Sequence, residues 1–273
     1  MSPMLLRWFH KLLGMRLASV PVSERQKGFR SFDGVSEAVL SLKAILKRHR
    51  DRLEPLCLAF LDIQKAFDSA SHSALIRSAG ACGVPPPLAK YLGAVHSRNV
   101  TTLKCDPFGR AIAVNQGLRQ GDPLSTYLFN FLIETCGDTQ MRTGISFGGE
   151  TRSLTHLADD TVVYAKTPAG LQRNVDLLVE QLGACGMVCN AAKCATIQLI
   201  TNRRTKQWRP GTQPILRVGA KYVPTLGLAD TYKYLGVRLG VGFTDSESLL
   251  PQLTEKLERL SPAHFFLSTR CTA

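Results

Sequence analysis

Three acids in this 273-residue chain could do chemistry together: Asp62, closing the apolar run "PLCLAFLDI", and the adjacent Asp159 and Asp160 in "SLTHLADDTVVYAK". An acidic pair between two alternating runs reads as a hairpin tip, because aspartate's short side chain hydrogen-bonds the backbone two residues on. The other reading is a metal. Mg²⁺ takes hard oxygen ligands and is held by one or two carboxylates plus substrate phosphates. Two such ions about 3.5–4 Å apart can activate an attacking oxygen and stabilise a leaving one. If the strand ending in Asp62 neighbours the hairpin, all three carboxylates reach one sheet edge, where they repel one another unless cations lie between them. The residues alone leave both readings open.

The elements that must position these acids are legible from periodicity. Residues 35 to 50 place Val35, Ala38, Val39, Leu42, Ile45 and Leu46 on one helical face, with Asp33 as N-cap and a basic last turn. The continuous apolar run before Asp62 is of strand length and reads as a buried strand. After it, "SHSALIRSAGACGVPPP" reads as a helix stopped by Gly83 and three prolines. Residues 100 to 118 read as a hairpin turning at Asp106 to Gly109. Asp122 and Pro123 are an N-cap and first-turn proline for a helix with Leu124, Leu128, Phe131 and Thr135 inward. Thr167 and Pro168 repeat the device for a helix carrying Leu171, Val175, Leu178 and Leu182. The segment "TNRRTKQWRPGTQP" reads as an exposed connection, either simply solvated or offering Trp208 and its basic neighbours to nucleic acid. One α+β core with a small C-terminal appendage is expected.

Lys+Arg of 34 against Asp+Glu of 21 gives a net charge of +13, which favours a polyanionic partner and is otherwise a solubility feature. Eight scattered cysteines in a chain of this size imply free thiols in a reducing compartment. The group "CGMVCNAAKC" lacks a C-x-x-C pair and a nearby His, so it reads as packing rather than a zinc site. No apolar run is long enough to span a membrane. A nuclear or cytoplasmic, non-secreted protein is expected. The basic opening "MSPMLLRWFHKLLGMRL" fits a mitochondrial presequence or an internal helix equally well by composition.

Taken in order, "FLDIQKAFDSASH", "GLRQGDPLSTYLFNFLIE", "HLADDTVVYAK", "GMVCNAAKC" and "YKYLGV" resemble reverse transcriptase motifs A to E. The likeness is to non-LTR retrotransposon enzymes of the site-specific, ribosomal-DNA-inserting kind, whose segment before motif A is matched by "SERQKGFRSFDG". The resemblance covers nearly the whole chain and implies a right-hand polymerase palm: a reverse transcriptase domain over 1–245, partial fingers at about 1–55 and 75–115, and the start of a thumb at 246–273. The opening helix is then a fingers helix. The chain is expected to begin past the family's "RPI" segment and to stop before the thumb is complete.

The resemblance also implies roles. Asp62 and Asp159 are metal ligands, joined by the carbonyl of Ile63 and by Asp160 near the primer terminus; Lys193 is the proton donor to the leaving pyrophosphate. Phe67 is the steric gate that rejects a 2′-hydroxyl, while Gln120 and Gly121 approach the nucleotide and template. Tyr234, Leu235 and Gly236 form the primer-holding hairpin. Arg25, Lys27, Lys104, Arg119, Arg203 and Arg204 are candidates for phosphate contacts. Leu157 stands where the family usually has an aromatic residue. The implied activity is RNA-directed DNA synthesis from dNTPs on an RNA template and DNA primer, with two Mg²⁺ ions or Mn²⁺ in their place. An inactive nucleic-acid-binding remnant and an RNA-directed RNA polymerase are the alternatives, the latter opposed by Phe67.

Overall fold

The computed structural model describes residues 4–29, 32–97, 100–103, 110–136, 141 and 143–242. Helix α1 (Met4–Leu17) opens the chain, followed by α2 (Gly34–Asp51), which forms as expected. Asp33 accepts the Ser36 N–H at 3.1 Å as its N-cap, and Ala38, Val39, Leu42, Ile45 and Leu46 make the buried stripe. Val35, in the first turn, is exposed instead. Strand β1 (Leu56–Leu61) runs through Asp62 into β2 (Ile63–Gln64), then come α3 (Ala66–Ser69), α4 (His72–Ala81) and α5 (Pro86–Ser97). The prolines expected only to stop a helix also start one: α4 ends at Ala81 and Pro86 opens α5, where its missing N–H has no intrahelical partner to lose. Strands β3 (Val100–Leu103) and β4 (Arg110–Ala113) pair as the expected hairpin. Its turn, with Lys104, lies outside the described residues.

Helix α6 (Ser125–Glu134) begins later than the Asp122–Pro123 pair suggests. The reason is a competing partner: buried Asp122 accepts the Leu124 N–H at 3.0 Å and meets His10 Nδ1 at 2.7 Å, while the other His10 ring nitrogen meets the Tyr91 hydroxyl at 2.8 Å. That network ties α1 to α5 and to the approach of α6, so α1 is an integral helix of the domain.

Next come β5 (Ile145–Phe147), β6 (Glu150–Arg152), β7 (Leu154–Leu157), β8 (Asp160–Ala165), α7 (Pro168–Ala184) and β9 (Val188–Cys189). Strands β10 (Ala195–Asn202), β11 (Gln207–Pro210), β12 (Leu216–Val218), β13 (Lys221–Val223), β14 (Tyr232–Tyr234) and β15 (Val237–Leu239) complete the described chain. Thr167 caps α7 as expected, its hydroxyl accepting the Gly170 N–H at 3.1 Å. The main sheet is antiparallel, in the order β11-β10-β1-β8-β7. Because side chains alternate across a strand, β1 feeds two cores. Cys57, Ala59 and Leu61 join the core with α4, α6 and α7; Leu56, Leu58 and Phe60 join the core with α2. Both faces are covered, which explains the continuous apolar run.

The segment after Thr201 is not a free connection. β10 continues to Asn202, whose side-chain oxygen accepts the N–H groups of Arg204 and Thr205, and β11 returns along it. Trp208 packs against the α2-side core with the Arg50 guanidinium 5.8 Å from its ring centre, so its ring is committed to the fold. The described cysteines are free thiols. Among the described residues no helix is long and apolar enough to cross a membrane. Residues 246–273, expected to start a thumb, lie outside the description.

Candidate active site

Strands β7 and β8 pair with Leu157 opposite Asp160, leaving Ala158 and Asp159 as the two turn residues. The tip of the hairpin is thus Ala158–Asp159, and Asp160 is the first residue of β8. On its other side β8 pairs with β1, Leu61 opposite Thr161. One residue further, the same register sets Asp62 against Asp160, both with the pleat parity of Phe60 and Val162. The electrostatics agree with this geometry. Burial pushes the Asp160 carboxyl up to about 6, with further upward contributions from the charges of Asp159 and Asp62. Asp159 is exposed, while Asp62 and Asp160 are half-buried.

Among the described residues no three metal-ligating side chains close tightly enough to hold an ion unaided. The donors are open, hard carboxylate oxygens, and Asp160 has its proton affinity raised by burial and by the charges of Asp159 and Asp62. That chemistry fits a divalent cation which keeps water or substrate oxygens among its ligands.

The loop after β9 braces this edge. The Asn190 N–H donates to the Asp62 carbonyl at 2.8 Å, Ile63 pairs with Cys189, and the Cys189 and Cys194 sulfurs lie 3.6 Å apart. Lys193, at the end of the 3₁₀ turn Ala191–Lys193, is exposed at the same end of the sheet. Its carbonyl accepts the Tyr232 hydroxyl at 3.0 Å. Tyr232 stacks on Phe60 at 4.4 Å, and Tyr234, 2% exposed, tilts against the same ring at 5.6 Å. Burial pushes the Tyr232 phenol up to about 12, helped by the charges of Asp160 and Asp62, so Tyr232 adjoins the acids. Tyr232 is not among the residues to which the resemblance gives a role, although the alternation in "YKY" places it on the Tyr234 face. The β14–β15 turn has φ of 50° at Leu235 and 85° at Gly236, the positive pair of a type I′ hairpin.

Phe67 stacks on Phe129 of α6 at 4.3 Å and 17°, and meets Phe29 edge-on at 5.9 Å. The Phe67 carbonyl accepts the Leu118 N–H at 2.7 Å, and the Ala70 carbonyl accepts the Gly117 N–H at 2.8 Å. These bonds dock the segment leading to Gln120 and Gly121 onto α3. Both residues are exposed, and Gly121 has φ 79° with open space around it. Glycine there answers a backbone requirement and leaves the surface accessible.

The basic candidates separate. Arg25 lies against the acidic hairpin, its carbonyl accepting the His156 N–H at 2.8 Å. Lys27 does not present a charge to solvent: it is 5% exposed and ion-paired with Glu37. Arg119 is half-buried beside the His10–Asp122 network. Arg203 and Arg204 are exposed, but they follow the far end of β10, about 23 Å along the strand from its acid end. His156, opposite Thr161, is buried, and its Nδ1 lies 2.7 Å from the Thr161 hydroxyl. Burial, then Arg25, holds its imidazole down to about 3, so the hairpin carries a neutral histidine behind its acids.

Gly28 sits against the turn so closely that an added Cβ would lie 2.5 Å from the Ala158 nitrogen. Backbone cannot yield as a flexible side chain can. Gly28→Ala is therefore expected to lower unfolding stability by roughly 1–3 kcal/mol, measured by denaturant titration.

An α+β domain that delivers acids from two adjoining strands and a turn to one sheet edge has the architecture of a nucleic-acid polymerase palm. The family model for reverse transcriptase (RNA-dependent DNA polymerase) matches residues 1–239, and the chain belongs to that family. Within it, the likeness is to the R2 type of non-LTR retrotransposon enzyme. The chain is 33% identical over 235 residues to the Pol polyprotein of the type-1 retrotransposable element R2 of Nasonia vitripennis, covering 85% of this chain and 23% of that one. It is 30% identical over 266 residues to that of the type-2 element R2DM of Drosophila melanogaster, covering 95% and 25%. The chain spans about a quarter of the length of these curated relatives. In fold it is similar to apo telomerase from Candida tropicalis, with a TM-score of 0.54 at 13% identity, covering 87% of this chain and 39% of that one.

Proposed function

We propose that this chain is the RNA-directed DNA polymerase core of a non-LTR retrotransposon, joining deoxynucleoside triphosphates to a primer 3′-hydroxyl on an RNA template. The observation that carries the reading is the meeting of Asp62, Asp159 and Asp160 at one sheet edge, with Asp160 raised by burial and then by the charges of the other two. Asp62, Asp159, Asp160 and the Ile63 carbonyl would hold the ions, Mg²⁺ or Mn²⁺. Divalent ions bound there would supply Lewis acidity and charge neutralisation. The remaining catalysis is positioning and electrostatics, as in phosphoryl transfer generally. Lys193, exposed on the loop that braces Asp62, protonates the leaving pyrophosphate. Phe67 lies under the sugar, Gln120 and Gly121 meet the nucleotide and template, and the Tyr234–Leu235–Gly236 hairpin holds the primer. Arg25 and Arg119 contact nucleic-acid phosphates, which makes binding salt-dependent.

Purified protein given Mg²⁺, an RNA template, a DNA primer and dNTPs is expected to extend the primer, and EDTA is expected to stop it. Binding of primer and template without extension would favour an inactive remnant. Preferential incorporation of ribonucleotides would favour an RNA-directed RNA polymerase.

A further inference from the structure

The turn that carries Asp159 is held from outside its own strands. Ala158 has φ 55°, in the left-handed region that glycine enters freely and a residue with a Cβ enters at a cost. Alanine at this position leaves the turn in need of an external partner.

The segment from Arg25 to Gly28 is that partner. It lies parallel to the outer edge of β7, Gln26 bridged to His156, with the Lys27 N–H donating to the His156 carbonyl at 2.8 Å. Gln26 is fully buried, and its Oε1 accepts the Ala158 N–H at 3.3 Å and the Gly28 N–H at 2.8 Å. From the other side Asn130 of α6 donates its Nδ2 N–H to the Gly28 carbonyl at 2.9 Å. One short segment thus links the helix that backs Phe67 to the turn that carries an acid.

We propose that Gln26 is a positioning residue for the acidic turn: its amide oxygen holds Ala158 in the left-handed conformation and so fixes where Asp159 stands relative to Asp62 and Asp160. The inference rests on reading the three acids as the polymerase ion site. It adds a residue that contacts neither ion nor substrate.

Gln26→Met keeps the length of the side chain and removes the acceptor; Ala158→Gly removes the need for it. Four proteins, wild type, both single variants and the double, are compared by amide exchange at Ala158, by Mn²⁺ titration under electron paramagnetic resonance, and by the Mg²⁺ dependence of extension. Gln26→Met is expected to speed Ala158 exchange, and to weaken Mn²⁺ binding and raise the Mg²⁺ requirement, each by roughly tenfold. Affinity for primer and template should stay unchanged. Ala158→Gly in the same background is expected to restore most of the Mn²⁺ affinity, a rescue that simple loss of core packing would not allow. Unaltered exchange and Mn²⁺ affinity in Gln26→Met, or a double variant no better than the single, would overturn the role of Gln26. A wild-type protein that neither binds Mn²⁺ nor extends a primer would overturn the polymerase reading itself, and with it any acid site for Gln26 to position.

Discussion

On the proposed polymerase reading, Asp159→Ala is expected to reduce RNA-templated primer extension by roughly a thousandfold or more, since Asp159 would help hold a divalent ion whose charge offsets that of the transferring phosphate. Asp159 is exposed at a turn, so the melting temperature should barely move and the loss cannot be assigned to unfolding. Asp160 offers a complementary test in the metal-free protein. Its folded pKa of about 6 lies above the ordinary 3.8, so between these values the native state binds more protons than the unfolded one. Stability therefore falls as pH rises from about 4 to 6 and stays reduced above that. Asp160→Asn removes this penalty. At pH 7.5 it should stabilise the protein by about 1 kcal/mol, a figure discounted for the solvent that reaches the half-buried carboxyl. The gain should vanish below about pH 4, as thermal melting across pH would show. Added Mg²⁺ should raise the melting temperature of the wild type more than that of Asp160→Asn. Extension that survives Asp159→Ala would place the chemistry elsewhere.

The acids and the strands that carry them were legible because they depend on local signals. A doubly buried strand reads as an unbroken apolar run, and Leu56 to Leu61 is one. A capped helix announces itself by Asp33 or by Thr167–Pro168. What stayed hidden depends on pairs distant in sequence. Asp122 looks like an N-cap until His10 draws its carboxylate, a partner 112 residues away. Lys27 looks like a phosphate contact until Glu37 takes its ammonium. Trp208 beside basic residues looks like a nucleic-acid platform, yet the ring packs against the core. Gln26 could be quoted as part of a motif, but its task is defined by the backbone of Ala158, where nothing in an alanine reports a positive φ. Even the acidic pair needed register to be read closely: only the Leu157–Asp160 pairing separates the turn residue Asp159 from the strand residue Asp160.

On the proposed polymerase reading, Phe67 is the residue at which substrate choice would be altered with the fold left standing. Its ring is clamped face-on by Phe129 and edge-on by Phe29, so it cannot swing aside for a bulkier sugar. A rigid wall discriminates by clash, which costs the unwanted substrate and leaves the wanted one unaffected. Phe67→Val is expected to shorten the wall and raise kcat/KM for ribonucleotides relative to deoxynucleotides by roughly a hundredfold, the scale on which a pocket senses one hydroxyl. Losing the aromatic pairing should cost about 1–2 kcal/mol of stability, which is small enough for the variant to remain folded. Single-nucleotide incorporation with matched dNTP and rNTP pairs measures the ratio directly. Phe129→Leu supplies the control: it leaves the Phe67 ring in place and removes its support, so it should relax discrimination by a smaller factor than Phe67→Val. If Phe67→Val lowers incorporation of both sugars equally, Phe67 serves packing alone and discrimination against the 2′-hydroxyl lies with another residue.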